Sequence, residues 1–316
     1  MLAYFLRRLA FSLFLVFAVS SASLVLTRMA PGDFAVDALG IANAATIHDM
    51  RARYGLDRPL GEQYGAWIAG AIRLDFGRSL AYDRPVADLI PERAANTAIL
   101  ALSALALATL VGLPLGVLTG TRAPGIFTAL VRGASVVLVS TPPLLTSLFL
   151  LFLAARSGWL PIAGMRSPSG PGGLAGMLDL IAHMVVPVFA LALPLSAMFE
   201  RLQSQAMREV IHAPFVRAAV ARGVPQARIV WRDALRLGIR PVVSIYGLVV
   251  GTLLSGSFAV EIVTAWPGLG QLMLEALRAR DVYLVAGCAA AGSVFLAAGT
   301  LLSDAALALV DPRVTE

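Results

Sequence analysis

Apolar runs about as long as a bilayer is thick recur along this chain, and no other feature restricts its fold as much. A helix needs ~20 apolar residues to cross the ~30 Å hydrocarbon core. Runs near that length cover Leu9–Leu26, Asn96–Gly120, Ile126–Ala155, about Leu180–Phe199, Val242 to about Val263, and Tyr283–Val310. Charged residues make up 14% of the chain and mean hydropathy is +0.80. Soluble domains carry roughly 25% charge. In lipid the backbone must satisfy its own hydrogen bonds, which helices do internally. The expectation is an all-α integral membrane protein with six transmembrane helices.

The polar intervals divide the chain. Residues 1–29 form an N-terminal segment with the first span, 30–95 a small region outside the membrane, and 96–316 a five-span core interrupted by a charged loop at 200–241. Two short helices are expected in the 30–95 region, over HDMRARYGL and EQYGAWIAGAI. Arg7 and Arg8 before the first apolar run, and the small residues of VSSAS after it, imitate a secretory signal. A signal core is only ~7–15 residues, so the longer run here reads as an uncleaved span.

All 25 basic residues are arginine, against 19 acids, a net charge of +6. With no lysine there is no phosphate-gripping Lys of a P-loop, so the chain is not a standard ATPase. The single cysteine, Cys288, lies in an apolar run and reads as a small packed residue. The histidines are His48, His183 and His212. They form no HExxH, and Glu209 with His212 on one helix face supplies too few ligands for a metal. No nucleophile–base pair is recognisable either, so we expect no catalytic residue, no metal and no cofactor in this chain.

Six spans place both termini on one side, and arginine selects which. With the N-terminus inside, the inner segments hold Arg7, Arg8, Arg122, Arg132, eight arginines from Arg201 to Arg240, and Arg313; the short outer loops hold Arg156, Arg166, Arg278 and Arg280. Cytoplasmic loops carry the arginine excess, so the N-in, C-in orientation follows. Proline interrupts spans two to four at Pro114, Pro142–Pro143, Pro187 and Pro194. Such breaks are tolerated as kinks in a bundle or around a translocation path. Glu261, Asp304 and His183 fall near span ends rather than at mid-membrane, which disfavours proton coupling.

HAPFVRAAVARGVPQARIVWRDALRLGIRP, residues 212–241, carries six arginines, three prolines and two glycines. Pro214 suits a first helical turn. The helix PFVRAAVAR then stops at Gly223, which fits the left-handed C′ position. Pro225 opens a second helix, PQARIVWRDALRL. In the first, Phe215, Ala218, Ala219 and Arg222 share a face by spacing. An amphipathic helix lying on lipid is one explanation. The small apolar area of alanine favours a protein-docking helix.

RAAVARG, followed eighteen residues after its glycine by Pro241, resembles the EAA loop of ABC importer membrane subunits, in particular the permease family for dipeptides, oligopeptides and nickel. MLAYFLRRL, RMAPGD, YGLDRPLGEQYGAWI, DFGRSL, VGLPLGVLTG, EIVTAWPGLGQLMLEAL with ARD, and SDAALALVDPR are similar to other parts of that family. The resemblance implies a type I importer-like permease in a bacterial inner membrane, half of a pore for peptides or a similar small solute, with nickel complexes possible. It implies as partners a second homologous permease, two cytoplasmic ATPase subunits and an extracytoplasmic substrate-binding protein. Phe215, Arg217, Ala218, Ala219, Arg222 and Gly223 would form the ATPase-coupling helix. Asp233, Leu237 and Arg240 depart from the family's loop, which usually has His, Asn and an uncharged residue there.

AWPGLG, residues 265–270, falls at the outer surface. Trp266 reads as an interfacial anchor and Pro267–Gly268 as a plain turn. The resemblance suggests an outer gate or a binding-protein contact instead, and Pro142 is a further gate or turn candidate. A self-sufficient secondary carrier is the alternative function.

Overall fold

The computed structural model describes residues 2–30, 48, 52, 57–123, 125–168, 170 and 172–310. Residues 31–33 of the APGD opening, most of HDMRARYGL and the closing DPR lie outside them. The helices are α1 (Leu2–Met29), α2 (Leu60–Ala71), α3 (Val86–Thr121), α4 (Ile126–Ser140), α5 (Pro143–Ser157), α6 (Gly173–Val210) and α7 (Pro214–Ala221). There follow α8 (Gln226–Arg228), a π-helical turn (Ile229–Ala234), α9 (Leu235–Gly238), α10 (Arg240–Thr264), α11 (Leu269–Arg278) and α12 (Val282–Val310). Four helices are long and apolar enough to cross a membrane, or up to six if each of two bent pairs counts as one span.

Several boundaries differ from the hydropathy reading for one shared reason. α3 begins ten residues before Asn96, and α6 extends beyond the 180–199 span at both ends, so the first eleven residues of the arginine segment are helix. Glu92 and Arg93, like Glu200, Arg201 and Gln203, bound an apolar run without ending a helix, because these side chains are good helix formers. The expected third span is two fifteen-residue helices, α4 and α5, bent by 108° at Thr141–Pro142. At 1.5 Å per residue each reaches only ~22 Å, short of the hydrocarbon thickness.

The chain divides into two compact units, one comprising Ala98–Trp266 and Gly299–Glu316, the other Leu2–Thr97 and Pro267–Ala298. In the first, α6 packs on α4, α5 and α10. Its core joins Leu100, Ala104 and Ala108 of α3 to Ala190, Leu191, Leu195 and Phe199 of α6 and to Val242, Val249, Leu253 and Val260 of α10. Gly112, Gly116 and Gly120 let α3 lie directly on α6. A methyl on Gly116 would stand 2.6 Å from Gln203 Cβ and 2.7 Å from the Glu200 carbonyl. Small residues every fourth position are how membrane helices approach closely without a hydrophobic driving force.

In the second unit, Leu24 of α1 and Trp67 of α2 pack with Val282 and Ala286 of α12. The loop between α2 and α3 is pinned by Asp281, which is fully buried. Its carboxylate accepts from the Ser79 hydroxyl at 2.5 Å and from the Ala81 N–H at 3.0 Å, and it caps α12 by accepting from the Leu284 N–H at 3.0 Å. The Tyr82 hydroxyl donates to Glu275 at 2.6 Å. Desolvation, and then the hydrogen bond and charge of that carboxylate, push the phenol up to about 12.

Candidate functional site

The passage from α7 to α10 is built in four pieces. Pro214 stands at the first position of α7, where a missing N–H costs nothing. The helix ends at Gly223, whose φ of +74° is the left-handed conformation that a side chain disfavours. The Gly223 N–H closes on the Val220 carbonyl at 2.9 Å, and the Val224 N–H on that of Ala219 at 3.1 Å. Pro225 then opens the next helix, as the punctuation predicts.

α7 presents two faces. Val216 and Ala219 are buried against Ile229 of the π-helical turn, with Ile211 and Val224 beside them. Phe215, Arg217, Ala218 and Arg222 are exposed. The four-residue face expected from spacing is therefore corrected at one position: Ala219 points inward, because Val216 three residues earlier is the apolar residue that the turn receives. The exposed side carries the Phe215 ring, the Ala218 methyl and the Arg217 and Arg222 guanidinium groups, with Val220 exposed beside them.

The π-helical turn is the part the sequence did not disclose. PQARIVWRDALRL reads as one uninterrupted helix, yet Ile229–Ala234 is wound with the wider π repeat. Winding of this kind places Ile229 under α7 and turns Val230 and Ala234 onto Val117 of α3 and Met207 of α6. Gly238 of α9 continues the contact; a methyl there would be 2.7 Å from the Met207 sulfur. A continuous packed path thus runs from α7 through the turn to the ends of α3 and α6. After Gly238 the chain bends by 52° into α10.

At the other end of α10, Ala265 adopts φ +50° and the Trp266 N–H bonds the Glu261 carbonyl at 2.9 Å. Trp266 is fully buried in the core of its unit, so its indole does not lie exposed as an interfacial anchor. Trp159, following α5, is by contrast 89% exposed. In the other unit the Pro267 carbonyl accepts from Asn96 Nδ2 at 2.9 Å, and the Leu269 N–H donates to Thr97 Oγ1 at 2.8 Å. Pro267 and Gly268 are a turn that opens α11. Asn96 and Thr97, which hold it, carried no signal in the sequence beyond starting an apolar run. Pro142, exposed at the α4–α5 bend, is extended (ψ 145°).

A second polar group lies along α6. Glu200 and Gln203 are buried there, and Glu200 Oε1 accepts from the Thr119 hydroxyl at 2.5 Å. Arg132 Nη2 of α4 donates to the Thr119 carbonyl at 2.8 Å. Hydropathy assigns Glu200 to a loop, which hid it; the glycines at 112, 116 and 120 were the available sign that α3 packs closely on a partner helix. Among the described residues no group of three or more His, Cys, Asp or Glu could hold a metal ion.

Comparison with known proteins bears on the whole chain. Residues 112–316 match a family model described as "Binding-protein-dependent transport system inner membrane component", and residues 1–101 match its N-terminal companion. A permease protein of Brucella suis is 31% identical over 99% of both chains. The oligopeptide transport system permease protein AppB of Bacillus subtilis is 29% identical, and the dipeptide transport system permease protein DppB of Escherichia coli K12 is 30% identical, each over 99% of both chains.

Proposed function

This chain belongs to the family of binding-protein-dependent transport system inner membrane components, and on that premise we propose how its parts serve ATP-driven import of peptides. It is a multi-pass inner-membrane permease subunit of an ABC importer and a transport component rather than an enzyme. The self-sufficient carrier finds no support. Peptide cargo is proposed from the names of the oligopeptide and dipeptide relatives.

In this reading both termini and the α7–α9 segment face the cytoplasm, as the arginine distribution favours. A second permease completes the pore, two separate ATPase subunits dock from inside, and an extracytoplasmic binding protein delivers the solute. No cofactor is assigned to this chain, since ATP is bound and hydrolysed by the others. α7 is the coupling helix: Phe215, Arg217, Ala218 and Arg222 face the ATPase, Ala219 seats the helix on the turn beneath, and Gly223 gives the reversal. The observation that carries this is the packed path from α7 through Ile229, Val230 and Ala234 to Val117 and Met207. A displacement of α7 reaches the ends of α3 and α6 without a compliant loop between them. Closed cores shift as units rather than deforming gradually, so ATP-driven movement of α7 becomes rocking of the helices. The turn at Trp266, Pro267 and Gly268 and the bend at Pro142 are the proposed outer gate elements.

Arg217→Glu reverses a charge on the exposed face without touching the buried one. In the assembled transporter it is expected to abolish ATP-dependent uptake while membrane insertion stays normal, measured by peptide accumulation in vesicles alongside the amount of inserted chain. Normal uptake by this variant contradicts the docking role.

A further inference from the structure

Two adjoining cavities follow α4 and α6. The larger, about 710 Å³, has Arg201, Gln205 and Arg208 of α6 and Arg132 of α4 in its wall. The smaller, about 200 Å³, is lined wholly by apolar side chains, among them Pro143, Leu191, Leu195 and Leu253. Val139 and Met198 line both, so the cavities meet there. From that junction the larger runs along α6 toward Glu209 and back along α4 toward Arg132. The smaller runs the other way on both helices, to Leu191 and to Pro143. Polarity therefore changes in one direction along the pair.

α6 is one of the helices long and apolar enough to cross a membrane. Its apolar stretch ends at Phe199 and its charged stretch begins with Glu200 and Arg201. Charge is expensive against hydrocarbon, so the boundary of the bilayer core falls near that level. Ten residues separate Arg201 from Leu191, roughly 15 Å at ~1.5 Å per residue, which is half of the ~30 Å core. The smaller cavity thus reaches about the midplane, and the larger lies at headgroup level. Arg201, Gln205 and Arg208 are exposed there. Ser204 holds Arg208, whose Nε donates to its carbonyl and Nη2 to its hydroxyl, both at 3.3 Å. Glu200 also lines the larger cavity, but its carboxylate is buried, with Oε1 accepting from the Thr119 hydroxyl. Glu209 is the exposed acid of this wall, so two exposed arginines with half-buried Arg132 leave the accessible charge positive.

Guanidinium groups at headgroup level above an apolar cavity one leaflet deep match an anionic amphiphile. Phosphate oxygens suit the forked donors of arginine, and basic pockets between membrane helices on the cytoplasmic side take anionic headgroups. A soluble anion would leave the apolar cavity unused. We propose that the α4–α6 groove holds one anionic phospholipid of the inner leaflet, its phosphate on Arg201 and Arg208 and one acyl chain passing Val139 and Met198 into the smaller cavity. The leaflet follows from the arginine orientation. The binding itself requires only that α6 crosses the membrane, and depends on neither cargo nor ATP.

The test places the assembled transporter in vesicles of phosphatidylglycerol and phosphatidylcholine in equal amounts, with identical acyl chains. The complex is extracted in mild detergent, and the phospholipid that stays with it is measured by mass spectrometry. Phosphatidylglycerol should be retained over phosphatidylcholine by at least about fivefold, the contribution of one arginine at a lipid surface. Arg201→Gln together with Arg208→Gln should remove most of that excess, whereas Arg201→Lys together with Arg208→Lys should keep most of it. Val139→Trp, which fills the junction of the cavities, should lower the retained phosphatidylglycerol while the amount of inserted chain is unchanged. Retention of both lipids in vesicle proportion overturns the proposal, and is the result expected if another subunit fills the groove. An excess that the double glutamine variant or Val139→Trp leaves intact overturns it as well. So does displacement of the lipid by equimolar glycerol 3-phosphate, which carries the phosphate without the chains. Neither ATP nor peptide is added, so failure of the lipid site leaves the importer reading standing.

Discussion

At the scale of single residues, the closest constraint on this molecule is the absence of side chains along one line of α3. Gly112, Gly116 and Gly120 bring that helix against α6 near Ser196, Glu200, Gln203, Ser204 and Met207. Gly116→Leu forces its new side chain into Gln203 and the Glu200 carbonyl. Overpacking of this kind costs ~1–3 kcal/mol and occasionally more. We expect a clear fall in the unfolding midpoint in mild detergent. Gly65→Ala, on α2 where nothing lies within 4 Å, should leave the midpoint unchanged or slightly raised, since alanine is the better helix former. An equal loss from both would mean that the α3–α6 contact carries no special weight. Packing of this sort is half legible in the sequence. The four-residue glycine spacing marks a close helix contact, but which helix supplies the other side depends on tertiary pairing. For that reason Glu200 and Gln203 read as the start of a loop, although they lie buried under α3.

At the scale of elements, punctuation proved a better guide than hydropathy. Pro214, Gly223 and Pro225 mark α7 and its sharp end correctly, because a missing N–H and a left-handed φ are local demands that neighbours seldom override. Hydropathy missed the start of α3 and both ends of α6, since it measures solvent preference and not backbone state. Neither signal showed the π-helical turn, whose extra width is set by what Ile229 and Val230 pack against. The Pro142–Pro143 pair is where the two signals conflict: the apolar run continues while the helix breaks by 108°. Pro143 alone bars residue 142 from helical geometry, so Pro142→Ala should keep the bend and near-normal uptake. Replacing both prolines with alanine removes that bar and lets α4 run on into α5. We expect the double variant to insert but to transport poorly, as measured by initial uptake rate in vesicles. If the double variant transported like the single one, the bend would be a packing detail without a part in translocation.

At the scale of the whole molecule, the chain is a helical membrane permease subunit. It contains no lysine for a P-loop, and its exposed helix α7 rests on a packed path into the ends of α3 and α6. The fold class was legible early because bilayer thickness and backbone satisfaction leave few options for such a sequence. The exposed face of α7 was legible only in outline: spacing marks the helix, and the structure was needed to separate Ala219, which is buried, from Phe215, Ala218 and Arg222, which are exposed. The importer reading meets its sharpest trial in a mild-detergent pull-down of the tagged chain from its native membrane, with mass spectrometry of what accompanies it. A second multi-span permease and P-loop ATPase subunits are expected to accompany it, the latter lost on Arg217→Glu. A chain that purifies alone, and that still accumulates solute when it is the sole protein in vesicles, would contradict it.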